Sequence, residues 1–161
     1  GPCGYGLPSV VGAKIGRPDV PVVGFSGDGA FGIAVNELTA IGREEWPAVT
    51  QIVFRNYQWG AEKRNSTLWY DDNFVGTELD TQVSYAGIAK ACGLPGVVAK
   101  TMDELTEARH TAIKDQMENG KTTLIEAMIN QELGEPFRRD AMKKPVAVAG
   151  VSASDMREQV V

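Results

Sequence analysis

The side chains best suited to hold a hard cation are the acid of a Gly27-Asp28-Gly29 turn and the amide of Asn56. Each follows an apolar run, and one strand–helix–strand unit separates them. If the two strands are neighbours, a carboxylate oxygen and an amide oxygen converge at one edge of a sheet. Magnesium takes six oxygens in a near-octahedral array at about 2.1 Å. The carboxylate, the amide and a backbone carbonyl supply three, and a diphosphate with one water completes the set. Gly27 and Gly29 suit the same chemistry, because they flank the acid where the chain turns and where a phosphate must approach the backbone. A helix starting near Ala30 aims its unpaired N–H groups at the same place, which favours an anion.

The elements that must position these residues are legible as an alternation of strands and helices. Leu7 to Gly16 reads as a helix with Pro8 in its first turn, where the missing N–H costs nothing. Val20 to Ser26 is an apolar run without alternation, as in a strand covered on both faces. Phe31, Ala34, Val35, Leu38 and Ile41 recur at helical spacing and predict one helix from about Ala30 to Glu45. Ala48 to Phe54 is a second buried strand, and Arg55 to Asp80 is polar, aromatic and aperiodic, a long loop. Thr81 to Cys92 reads as a helix and Val97 to Lys100 as a strand. Thr101 and Glu104 form a capping box for a helix running to about Glu118, and Thr122 to Ile129 is a fourth strand. Such an order predicts a three-layer α/β sandwich, a mostly parallel sheet flanked by helices, with ligands at the carboxyl ends of the strands. Residues 1–133 form the domain, and 134–161 a tail rich in proline, glycine and charge.

Bulk properties exclude several classes. The 161 residues are 43% hydrophobic and 23% charged, with a net charge of -5 and no basic stripe for nucleic acid. No apolar run approaches the ~20 residues of a membrane span. Cys3 and Cys92 are far apart and lack CxxC spacing, so neither a disulfide framework nor a zinc site is expected, but a reduced, cytoplasmic protein. The chain opens without Met inside a glycine-rich run, and is read as a fragment of a larger enzyme.

A Gly-Asp-Gly turn alone is a weak signal. The ordered set of strand, GDG, amphipathic helix, buried strand and Asn is far more specific, and from Gly27 to Asn56 it resembles the thiamin diphosphate motif, in which GDG is followed by Asn, usually Asn-Asn. The resemblance implies the pyrophosphate domain of a thiamin diphosphate-binding fold. Asp28, the Asn56 side chain and the Gln58 backbone oxygen would hold Mg2+; backbone N–H groups around Gly29, Ala30 and Trp59, with Gly27 and Gly60 beside them, would hold the diphosphate. Arg55 stands where the first Asn is usual, but the ligand position is kept. The opening Gly1-Pro2-Cys3-Gly4-Tyr5-Gly6-Leu7-Pro8 resembles the segment before GDG in acetolactate-synthase-like enzymes. By that likeness the Gly1 carbonyl and the Cys3 N–H would grip the aminopyrimidine, with the Cys3 side chain as a buttress. Cys3 read plainly is a small buried apolar residue, and both readings stand.

The stretches from Asn56 to Asn65, Trp69 to Leu79 and Leu133 to Met142 are very similar to the sulfoacetaldehyde acetyltransferase family, and the likeness covers essentially the whole chain. That family cleaves sulfoacetaldehyde with phosphate to acetyl phosphate and sulfite, using thiamin diphosphate and Mg2+, in sulfonate catabolism. Its activating glutamate lies on the pyrimidine-binding domain of a partner subunit. The resemblance therefore implies a homo-oligomer and no catalytic acid or base in this chain; Glu37 and Glu78 are candidates by residue type only. Rival readings are a short decarboxylase subunit like that of sulfopyruvate decarboxylase, an acetolactate synthase relative acting on 2-oxo acids, and a non-catalytic assembly module. Arg55, Lys63 and Arg64 read as solvated loop charges or as partners of the sulfonate or phosphate, and Arg138, Arg139, Lys143 and Lys144 as a solvated basic run. Trp59, Trp69, Tyr70 and Phe74 suit packing or a subunit contact. His110, the only histidine, sits on a helix flank away from the motif and has no catalytic role.

Overall fold

The computed structural model describes residues 2–133, so Gly1 and the tail, with its basic run, lie outside the described residues. Four parallel strands make one sheet: β1 (Val23–Gly27), β2 (Thr50–Arg55), β3 (Gly96–Ala99) and β4 (Thr123–Met128), in the order β1-β2-β4-β3. The helices are α1 (Gly6–Gly16), α2 (Asp28–Ile33), α3 (Leu38–Ile41), α4 (Gly60–Trp69), α5 (Tyr85–Ala91) and α6 (Met102–Glu118).

Alternating strand residues fill two cores. On one face Val49, Val53 and Leu124 pack with Leu7, Val11, Phe31, Leu38, Ile41 and Ala89, so α1, α2, α3 and α5 cover it. On the other, Ile52, Ile125, Ala99 and Ala127 pack with Ala112, Leu105 and Ala108 of α6. The three-layer α/β sandwich is thus as the sequence predicts. At Thr101 and Glu104 the capping box forms in full, with the Glu104 N–H 3.2 Å from Thr101 Oγ1 and the Thr101 N–H 3.3 Å from Glu104 Oε2.

Two expectations need correction. The helix over 30–45 is broken: α2 starts two residues earlier, at Asp28, ends at Ile33, and gives way to a 3-10 turn over Val35–Glu37 before α3. Gly32 followed by the β-branched Ile33 and Val35 is a poor helical run, and the break still leaves Phe31, Leu38 and Ile41 buried. The long loop contains α4. No residue of α4 is buried, so it has no apolar face to leave a period in the sequence.

Candidate functional site

The parallel register sets Gly27 beside Phe54 and Arg55 beside Met128, so β1, β2 and β4 end together. Asp28 and Asn56 follow the first two ends and are brought into contact: the Asn56 N–H donates to Asp28 Oδ2 at 3.1 Å. The Tyr57 N–H reaches the same oxygen at 2.7 Å. Tyr57 takes a left-handed backbone, φ 61°, to do so, an uncommon conformation for a bulky residue and one that the surrounding contacts must sustain. Asp28 Oδ1 accepts the Gly29 N–H at 3.0 Å. Asp28 is 1% exposed.

Around this pair lies a cavity of about 360 Å3 lined by Cys3, Gly27, Asp28, Gly29, Ala30, Phe54, Asn56, Gln58, Trp59, Gly60, Ala61, Glu62 and Ile129. Every described residue that the sequence assigns to cofactor or metal therefore borders one space. The glycines differ in what they do there. A Cβ on Gly29 would come within 2.8 Å of the Trp59 ring, so this glycine is required by the protein's own packing. At Gly27 a Cβ would meet nothing within 4 Å. Gly4, at φ 84°, donates its N–H to Ala30 O at 3.1 Å and so docks the opening loop on α2. Cys3 is exposed and borders the cavity, which overturns the reading of it as a buried apolar residue.

Two of the N–H groups that the motif implies are bonded within the protein. The Trp59 N–H donates to Thr77 O at 2.7 Å, and the Gly29 N–H is taken by Asp28. Gly60, Ala61 and Glu62, which open α4, line the cavity instead, and the first N–H groups of a helix have no carbonyl partner within it. Gln58 is 3% exposed; its Nε2 donates to Gln131 O at 2.8 Å while its Oε1 has no partner among the described residues.

The charged residues are placed differently from their readings. Arg55 neither faces solvent nor lines the cavity: its side chain is 1% exposed. It sits behind Asp28, with Nη1 3.4 Å from Asp28 Oδ2 and Nε 3.4 Å from Glu126 Oε1. Lys63 pairs with Glu78 and lies 5.3 Å from the Phe74 ring centroid. Arg64 is half-buried on α4, and Glu37 and His110 are exposed, His110 beside the Arg109 guanidinium at 2.8 Å.

Tyr85 and Glu126 are buried residues beside the site that the motif did not reveal. The Tyr85 hydroxyl donates to the backbone oxygen of Asp28 at 2.9 Å, and its ring meets Phe31 edge-on at 5.2 Å. Burial pushes the phenol's pKa up from its ordinary 10.0, against the pull of the Arg55 charge. The folded protein thus holds this proton more tightly than the unfolded chain. The resulting stability is fully present below pH 10 and is lost as pH rises through the raised value. Tyr85→Phe is expected to cost about 1 kcal/mol near neutrality and to flatten the fall in melting temperature above pH 10. A pH series of thermal melts checks it; an unchanged alkaline slope would remove Tyr85 as its source.

Comparison with known proteins gives this geometry a family. The chain is 86% identical over 161 residues to sulfoacetaldehyde acetyltransferase of Roseovarius nubinhibens, covering all of this chain and 26% of that protein. It is 77% identical over 159 residues to the sulfoacetaldehyde acetyltransferase of Rhodobacter capsulatus, and 28% identical over 160 residues to the acetolactate synthase isozyme 2 large subunit of Escherichia coli. These cover 99% of this chain and 27% of each relative, so the chain spans about a quarter of the length of the curated relatives it matches. Among solved structures, the thiamine diphosphate-dependent 4-hydroxybenzoylformate decarboxylase of Rhodococcus jostii RHA1 superposes with a TM-score of 0.70 at 27% identity, over 81% of this chain and 24% of that one. Residues 1–127 match the family described as thiamine pyrophosphate enzyme, C-terminal TPP binding domain, and to that family this chain belongs.

Proposed function

We propose that this chain is the diphosphate-holding domain of a longer thiamin diphosphate- and Mg2+-dependent acetyltransferase, which converts sulfoacetaldehyde and phosphate to acetyl phosphate and sulfite. The observation that carries it is the 86% identity along the entire chain to an enzyme of that name. The pocket fits the cofactor on its own terms. Asp28 and Asn56 offer hard oxygens, α4 opens toward the cavity, and a Cβ at Gly27 would fill space that no protein atom occupies. Among the described residues no cluster of three or more His, Cys, Asp or Glu is placed for a metal. Beside the Asp28 carboxylate, a cation here draws on amide, carbonyl and ligand oxygens, as Mg2+ beside a diphosphate does.

In this reading Asp28, the Asn56 side chain and the Gln58 carbonyl hold Mg2+. The N–H groups of Ala30 and of Gly60 to Glu62 take the diphosphate, and Cys3 supports the pyrimidine. When bound, thiamin diphosphate supplies a nucleophilic carbon and an electron sink; the protein contributes binding, orientation and electrostatics. The two candidates by residue type for activating the cofactor, Glu37 and Glu78, are exposed and do not border the cavity, and Glu78 is paired with Lys63. That role falls to a pyrimidine-binding domain, supplied by a partner subunit in a homo-oligomer. The full-length protein with both cofactors is expected to form acetyl phosphate from sulfoacetaldehyde only when phosphate is present, and the 161-residue chain alone to form none. Turnover of 2-oxo acids without phosphate would favour an acetolactate synthase relative. Acetyl phosphate made by the chain alone would overturn the division of the active site.

A further inference from the structure

Arg55 is buried behind the site and does not line the cavity. Nη2 donates to Asp80 O at 2.7 Å and to Val83 O at 2.8 Å, which fixes the guanidinium against the segment leading into α5. The Tyr57 and Tyr85 rings lie 4.3 Å and 4.9 Å from its central carbon. Glu126 braces it from β4, and that acid is itself held: Oε2 accepts from Ser84 Oγ at 2.9 Å and from the Ala86 N–H at 3.0 Å. Glu126 and Arg55 lie on the same face of the sheet because β4 and β2 pair with Glu126 beside Val53, two residues before Arg55.

The consequence falls on Asp28. Its Oδ2 receives the Asn56 and Tyr57 N–H groups at 3.1 and 2.7 Å, with Arg55 Nη1 at 3.4 Å. Its Oδ1 receives one donor, Gly29. Three donors saturate one oxygen, so the other is left for a cation. We propose that Arg55, braced by Glu126, is a positioning residue that fixes which oxygen of Asp28 meets the divalent ion, and thereby sets a preference for Mg2+ over Ca2+. The inference rests on the cofactor reading above. Mg2+ demands near-ideal octahedral geometry, which a single fixed oxygen serves; Ca2+ is larger and accepts a carboxylate through both oxygens. Lysine cannot replace the residue, since a single ammonium lacks the planar fork that spans Asp28, Asp80 and Val83.

The test titrates Mg2+ and Ca2+ calorimetrically into the full-length protein with thiamin diphosphate present. It compares wild type, Arg55→Lys, and the double variant Arg55→Met/Glu126→Met, which removes both members of the Arg55–Glu126 pair and leaves Asp28 with its three backbone donors. Folding is checked by circular dichroism. The wild type is expected to prefer Mg2+, and each variant to fold and bind cations with that preference reduced on the order of 10- to 100-fold. A folded variant with the wild-type ratio overturns the proposal. So does a failure of both variants to fold, which would make Arg55 a structural residue only. Absence of any cation binding in the wild type would instead sink the cofactor reading, and the inference with it.

Discussion

Asp28→Asn is expected to abolish divalent-dependent binding of thiamin diphosphate, by on the order of 100-fold or more, while the fold survives. Oδ2 faces two backbone N–H groups and a guanidinium, Oδ1 faces one N–H, and Asp28 borders the cavity. An asparagine at this position keeps its oxygen where the three donors are. Its NH2 must then occupy the Oδ1 position, where a donor stands in place of a cation ligand. Asp28→Ala is a different experiment. It strips Oδ2 from the Asn56 and Tyr57 amides and leaves Arg55 in the interior with only Glu126 as a counter-charge. Breaking a buried ion pair by removing one partner costs roughly 3–5 kcal/mol, so Ala is expected to lose both stability and binding. Urea denaturation together with a titration of cofactor and Mg2+ separates the two substitutions. An Asn variant that still binds the cofactor in a Mg2+-dependent way would show that Asp28 is not the cation's ligand.

What made Asp28 visible beforehand was its position: an acid between glycines at the end of an apolar run, one strand–helix–strand unit before Asn56. A buried parallel strand has no alternation to read, yet its end is marked where polarity begins, and in such a sheet the ends are the site. Three features stayed hidden, each for a physical reason. α4 has no buried residue, and its helicity left no period, although its first residues border the cavity. Arg55, taken from sequence as the first residue of a loop, is the last residue of β2, and its side chain turns inward. The break at Ala34 lies in a weak helical run, Gly32 to Val35, which the apolar spacing of Phe31, Leu38 and Ile41 masked. One sign of the buried network was present in the sequence. Glu126 interrupts the strand Thr123–Met128, and an acid inside a covered strand must find a partner. The partner, Arg55, lies far away in sequence but on the neighbouring strand, two residues past the register partner Val53, which only the strand order could reveal.

Gly96→Ala is expected to be the most damaging of the glycine substitutions and to reach the site from a distance. A Cβ there would lie 2.1 Å from Ala86 O, 2.8 Å from its carbonyl carbon and 2.9 Å from its Cα, all backbone atoms with no rotamer to yield. Neither side can move cheaply. β3 is held to β4 with Gly96 beside Leu124, and the Ala86 N–H is tied to Glu126 Oε2 at 3.0 Å. Relief requires α5 to lift from the sheet, and α5 begins with Tyr85, whose hydroxyl supports the Asp28 backbone. Overpacking a dense interior costs about 1–3 kcal/mol when neighbours adjust; with two backbones opposed, about 3 kcal/mol or more is expected, read from the urea midpoint. Whatever fraction still folds should bind thiamin diphosphate and Mg2+ more weakly than wild type, because displaced Tyr85 and Glu126 no longer brace Asp28 and Arg55. Wild-type stability in the Ala variant would mean that α5 does not approach β3 this closely. Full stability loss with intact cofactor affinity in the folded fraction would mean that the Tyr85 and Glu126 contacts do not hold the ligand in place.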